Sequence, residues 1–142
     1  MITTLQGTVD PKWIDSNGHV NIEIYTKLLD LSLENFIGIP DSIKSFLPEN
    51  TSCVVTRMFT VHRSEIRFPA SWLIRAGIFE IDQKGFKSLH QIESAGRQVT
   101  KFYVQCKYFD LETRKSKIID SDLISKFDFP QIKGIRDPLN II

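Results

Sequence analysis

An α+β fold, with one long helix lying against an antiparallel sheet, is the class this sequence predicts. Three observations predict it. Residues 21–37 carry an apolar repeat of helical period, four strand-like segments follow it, and short Gly-containing connections separate the later strands. With 142 residues the chain fits one domain, expected to span residues 1–142. A domain of that size buries roughly 68–70% of its unfolded surface and needs no metal or disulfide to fold.

The elements follow in order. Residues 3–9 alternate loosely with β-branched side chains and run into Asp10-Pro11, a first strand ended by a turn. Residues 12–20 read as a loop. The helix over residues 21–37 places Ile22, Ile24, Tyr25, Leu28, Leu29, Leu31, Leu33, Phe36 and Ile37 among charges that fall on one narrow stripe, Glu23, Lys27, Asp30 and Glu34. One wet stripe implies a helix surrounded on most of its sides. Gly38 is expected to end it in a left-handed conformation. A turn-rich stretch over residues 40–50 leads into strands at 52–68, 72–82, 86–93 and 99–110, the first long enough to bend or break. Gln83-Lys84-Gly85 and Ala95-Gly96-Arg97 suit antiparallel hairpins. In the last strand Phe102, Val104, Cys106 and Tyr108 share one face and Lys101, Tyr103, Gln105 and Lys107 the other. A short helical or extended piece over residues 121–127 precedes a tail with Pro130 and Pro138.

The composition narrows the function. Hydrophobic residues make up 42% and charged residues 25%, as in an ordinary globular protein. A formal net charge of +1 offers no global field for nucleic acid or an anionic membrane. Cys53 and Cys106 lie far apart without metal or redox spacing, Met1 to Gly7 has no leader pattern, and no segment approaches ~18 uninterrupted apolar residues. A cytoplasmic protein, free of membrane and nucleic acid, is the expectation. His62 and His90 lack partners at ligand spacing and read as strand residues, so no metal site is expected. Arg57, Arg63, Arg67 and Lys101 suit a phosphate patch but equally a solvated surface, and none is assigned.

Chemistry concentrates before the helix, in Asp15-Ser16-Asn17-Gly18-His19-Val20-Asn21. A carboxylate, an amide, an imidazole and a second amide recur at every second position, and in an extended loop that alternation throws them to one side. Asp15 suits a general base or a nucleophile, Asn17 the orientation of water or of that carboxylate. His19 suits polarising a carbonyl, relaying a proton or assisting departure of a thiolate. Backbone N–H groups near Val20 to Ile22 suit an oxyanion, being unpaired donors at a helix start. The structural readings stand beside these: Asn17-Gly18 is a turn dipeptide, Asn21 a good N-cap, and Asp15 a good turn residue.

The string Trp13-Ile14-Asp15-Ser16-Asn17-Gly18-His19-Val20-Asn21, with Tyr25 one helical turn later, resembles the hot-dog thioesterases related to 4-hydroxybenzoyl-CoA thioesterase and the acyl-carrier-protein thioesterases. Within that superfamily it is similar to small bacterial acyl-CoA thioesterases, which share W-I-D-x-N-G-H-x-N and a later I-R-F or I-R-Y, here Ile66-Arg67-Phe68. The resemblance implies a curved antiparallel sheet wrapped around one central helix. It also implies hydrolysis of an acyl-CoA to a carboxylic acid and free CoA without a cofactor, an acyl-carrier protein being the other thiol carrier. Asp15, Asn17 and His19 take the catalytic positions, Asn21 and Tyr25 the substrate-binding ones, with Leu28 and Leu29 as further pocket candidates. A homodimer or homotetramer is implied, with motif loops near the interface. One departure is visible. Relatives often carry a Glu shortly after the I-R-F or I-R-Y piece, where this chain reads Pro69-Ala70-Ser71-Trp72. Either Asp15 acts without a second carboxylate or Glu65 substitutes. That departure favours the alternative, a non-catalytic hot-dog protein that binds an acyl-CoA or a partner. A hot-dog hydratase or dehydratase fits the string less well, since those enzymes place a different Asp/His pair.

Overall fold

The computed structural model describes residues 1–40 and 42–141; Asp41, inside the turn-rich stretch, and Ile142 lie outside the described residues. Strand β1 (Ile2–Thr8) leads through a 3-10 turn at Pro11–Trp13 into helix α1 (Ile22–Gly38). A short helix α2 (Ile43–Phe46) precedes strands β2 (Thr51–His62), β3 (Ser71–Ile81), β4 (Gly85–Ser94) and β5 (Arg97–Asp110). A two-residue β6 (Lys115–Ser116) and helix α3 (Ser121–Ser125) complete the regular elements before the tail.

All strand pairs are antiparallel, in the order β1-β3-β4-β5-β2, with β6 added to β5. The sheet is curled and α1 lies on its inner face. Phe102, Val104, Cys106 and Tyr108 of β5 are all buried, as their alternation predicts. They pack in one cluster with Ile74, Ala76 and Ile78 of β3 and with Tyr25, Leu28, Leu29, Leu33 and Phe36 of α1. Each large side chain so buried contributes about 1.5–3 kcal/mol relative to exposure.

The hairpins follow their local chemistry. Ala95 and Gly96 both take positive φ, 52° and 71°, the two-residue turn whose twist matches that of antiparallel strands. At the β3–β4 turn Asp82 Oδ1 accepts from the N–H groups of Lys84 and Gly85, at 2.8 and 3.0 Å. A Cβ on Gly85 would stand 1.9 Å from the Cys106 carbonyl oxygen, so the close approach of β4 to β5 requires glycine there.

Both strand histidines do structural work. His90 is wholly buried on β4, with Nδ1 2.8 Å from Ser32 Oγ of α1 and Nε2 3.1 Å from Ser88 Oγ. A hydroxyl donates or accepts, so two serines satisfy both nitrogens of a neutral ring. Burial pushes the His90 pKa down to about 3. His62 sits at the end of β2, its Nδ1 3.0 Å from Thr100 Oγ1.

Three expectations are corrected. Gly38 does not end α1 in a left-handed turn: it is the last helical residue, and Ile39 leaves the helix in extended conformation (φ −63°, ψ 138°). Pro40 is the reason, since a residue before proline is driven out of the α region. The strand expected over residues 52–68 stops at His62, because the Arg63 and Ser64 N–H groups both turn to the Val99 carbonyl, at 2.8 and 3.2 Å. Helix α1 is covered on one face only: Ile22 is 67% exposed and Leu31 39%, so the open face is wider than the charged stripe. In one chain a single sheet covers a single face.

Candidate active site

The segment from Asp15 to Val20 is a closed turn between two bridged residues, Ile14 and Val20. The Asp15 N–H donates to the His19 carbonyl at 2.8 Å, and the Gly18 N–H to the Asp15 carbonyl at 3.0 Å, with Gly18 at φ +77°. The expected extended loop with alternating side chains is therefore corrected: Asn17-Gly18 acts as a turn dipeptide and folds the string back on itself.

Within that turn the Asp15 carboxylate is half used. Its Oδ1 accepts from the N–H groups of Asn17 (2.9 Å) and His19 (3.4 Å), whereas Oδ2 has no protein donor among the described residues. The local bonds hold one oxygen and leave the other oriented and free. Asp15 is partly exposed, and Asn17 and His19 are exposed.

Asn21 takes the N-cap position of α1, its side chain accepting from the Glu23 N–H at 2.9 Å. Its own N–H donates to the Trp13 carbonyl at 2.9 Å and its carbonyl accepts from Ile24 N–H at 3.0 Å. Among the described residues the N–H groups of Val20 and Ile22 have no backbone partner, so donors remain at the helix start.

Tyr25 is buried, and its hydroxyl accepts the Ile66 N–H at 3.1 Å. Its ring stands edge-on to His62, with centroids 5.3 Å apart. Burial raises its pKa; the Ile66 bond opposes this and the nearby Glu65 adds to it. The residue before Ile66, Glu65, touches His19 through Oε2 and Nδ1, and its Oε1 accepts from Arg67 Nε at 3.2 Å. Those bonds, His19 first, lower the Glu65 pKa. From sequence Glu65 is only a substitute for a missing acid; its contact with His19 spans 46 residues and no spacing rule reveals it. Ser71, the position where the family resemblance implies that acid, is an exposed residue opening β3.

A cavity of about 770 Å³ is lined by Gln6, Thr8, Ser71, Leu73, Glu93 and their neighbours and by none of the motif residues. Among the described residues no group of three or more His, Cys, Asp or Glu is placed to hold a metal ion, and no helix is long and apolar enough to cross a membrane.

A family model described as the thioesterase-like superfamily matches residues 9–127, which include the motif turn and every long strand but β1. No curated protein matches the sequence. Among solved structures, the probable thioesterase YbaW of Escherichia coli superposes with a TM-score of 0.77 at 20% identity, over 89% of this chain and 96% of that one. The Staphylococcus aureus protein SAV2348, solved in complex with CoA, gives 0.74 at 19%, over 96% and 93%. The DHNA-CoA thioesterase of the same species gives 0.71 at 14%, over 89% and 91%. At these identities the likeness establishes the fold, which is the hot-dog fold.

Proposed function

We propose that this chain, which belongs to the thioesterase-like superfamily, is a thioester hydrolase that cleaves acyl-CoA to a carboxylic acid and free CoA. The observation that carries the reading is the Asp15 carboxylate, fixed through Oδ1 and free at Oδ2, on the turn that feeds α1. In this reading Oδ2 takes a proton from water as the water oxygen bonds to the thioester carbon. The carbonyl oxygen, now negative, meets the unpaired N–H groups at the start of α1. The C–S bond then breaks, and the proton passes through His19 to the departing sulfur. Asn17 orients the water, and Asn21 and Tyr25 shape the substrate site. The binding of CoA by SAV2348 supports CoA as the thiol carrier.

The whole of residues 1–142 is read as one hot-dog domain working as a homodimer. Edge strand β2 exposes Val54, Val55, Met58 and Phe59, and α1 exposes Ile22 and Leu31. An apolar edge of that kind, left open, pairs with another chain. Open motif loops fit a site completed by the second copy. Two free cysteines support a cytoplasmic setting.

Thiol release over a panel of short-chain, long-chain and aromatic acyl-CoAs tests the reading: turnover of at least one is expected. Tight acyl-CoA binding with no thiol released from any would overturn it in favour of a non-catalytic binder, the alternative that Ser71 in place of the acid favours.

A further inference from the structure

We propose that Glu65 is a positioning residue, holding the His19 imidazole with its proton on Nδ1 so that Nε2 is the working nitrogen. The inference rests on the thioesterase reading for its catalytic consequence, but its geometry stands alone.

An ionised carboxylate only accepts hydrogen bonds, so in the contact between His19 Nδ1 and Glu65 Oε2 the ring nitrogen donates. Arg67 Nε donates to the other oxygen at 3.2 Å, so each carboxylate oxygen meets one donor. The lowered pKa of Glu65 agrees with that charged state. A hydrogen bond to one ring nitrogen decides which nitrogen is left for chemistry.

The backbone bearing Glu65 is itself held on both sides. The Arg63 and Ser64 N–H groups bond to the Val99 carbonyl, and the Ile66 N–H bonds to the buried Tyr25 hydroxyl, while the Ile66 side chain is 1% exposed. Tyr25 belongs to α1, the helix that the motif turn feeds. One helix thereby sets both the turn that carries His19 and the segment that carries Glu65. Side-chain exposure of 57% for His19 against 32% for Glu65 leaves the imidazole as the outward member of the pair. This constellation gives the chain a carboxylate partner for its imidazole from the residue preceding Ile66-Arg67-Phe68.

The test compares wild type, Glu65→Ala, Glu65→Gln, His19→Ala and the double variant Glu65→Ala/His19→Ala. Long-range 15N–1H spectra of the imidazole report the His19 tautomer without any substrate. Wild type and Glu65→Gln, which keeps an acceptor, are expected to show Nδ1–H; Glu65→Ala is expected to shift His19 toward Nε2–H. On the best acyl-CoA of the panel, Glu65→Ala should lower kcat by roughly ten- to a hundredfold with KM within about twofold, and Glu65→Gln should recover part of the loss. In the His19→Ala background the Glu65→Ala change should have no further effect. Unchanged His19 signals in Glu65→Ala overturn the proposal, and so do rate losses that multiply in the double variant, which would place Glu65 directly on the substrate. A wild type that releases no thiol sinks the thioesterase reading instead, and the spectra then decide the pairing by themselves.

Discussion

The Tyr25 hydroxyl accepts the backbone N–H of Ile66 at 3.1 Å, joining the second turn of α1 to the segment between β2 and β3. Tyr25→Phe keeps the ring against His62 and removes the acceptor. The Ile66 N–H is then left unpaired beside a buried side chain, at a cost of about 1–3 kcal/mol. Urea denaturation is expected to show a lower midpoint at unchanged slope, and an unaltered midpoint would show that the bond contributes nothing.

Asp15→Asn separates binding from chemistry, because it preserves size and most hydrogen bonding and removes basicity. Turnover of the best acyl-CoA should fall by roughly a hundredfold or more with little change in affinity. Ser16→Ala, a neighbour with no assigned role, should leave the rate nearly intact. Wild-type turnover by Asp15→Asn would remove Asp15 from the mechanism.

Met58 is 47% exposed on edge strand β2. If β2 forms the dimer edge, Met58→Lys buries an unpaired charge at the interface and shifts the protein from dimer to monomer, as read by light scattering at micromolar concentration. Wild type running as a monomer would refute the assembly, and a dimer unchanged by Met58→Lys would place the interface elsewhere.

His90 makes stability depend on pH. Its folded pKa, about 3, lies below the ordinary histidine value, so between about 6.5 and 3 the unfolded chain binds a proton that the folded chain excludes. Stability is full above that window and falls as pH drops through it, by up to about 1.4 kcal/mol per pH unit. Denaturation at pH 7, 6 and 5 measures the slope, and His90→Gln should flatten it. An equal slope in both proteins would assign the acid sensitivity to other groups.

Much of the architecture was legible because it depends on local rules. The helical period across residues 22–37, the face alternation of β5 and the Ala95-Gly96 turn are properties of short windows, and each appears in the structure. The motif string was equally legible as a string, including Asn21 as the cap of α1. Two local expectations failed where a stronger local rule intervened. Pro40 overrode Gly38 in ending the helix, and Asn17-Gly18 closed a turn where an extended loop was expected.

What sequence by itself determined was the element order, the inward faces and the set of groups available for chemistry, all functions of neighbours along the chain. Only the tertiary structure decided which of those groups meet. The partnership of His19 with Glu65 and that of Tyr25 with Ile66 cross 46 and 41 residues. They depend on where α1 packs and where β2 stops. Packing of that kind is a collective property of the core, and no window of sequence contains it.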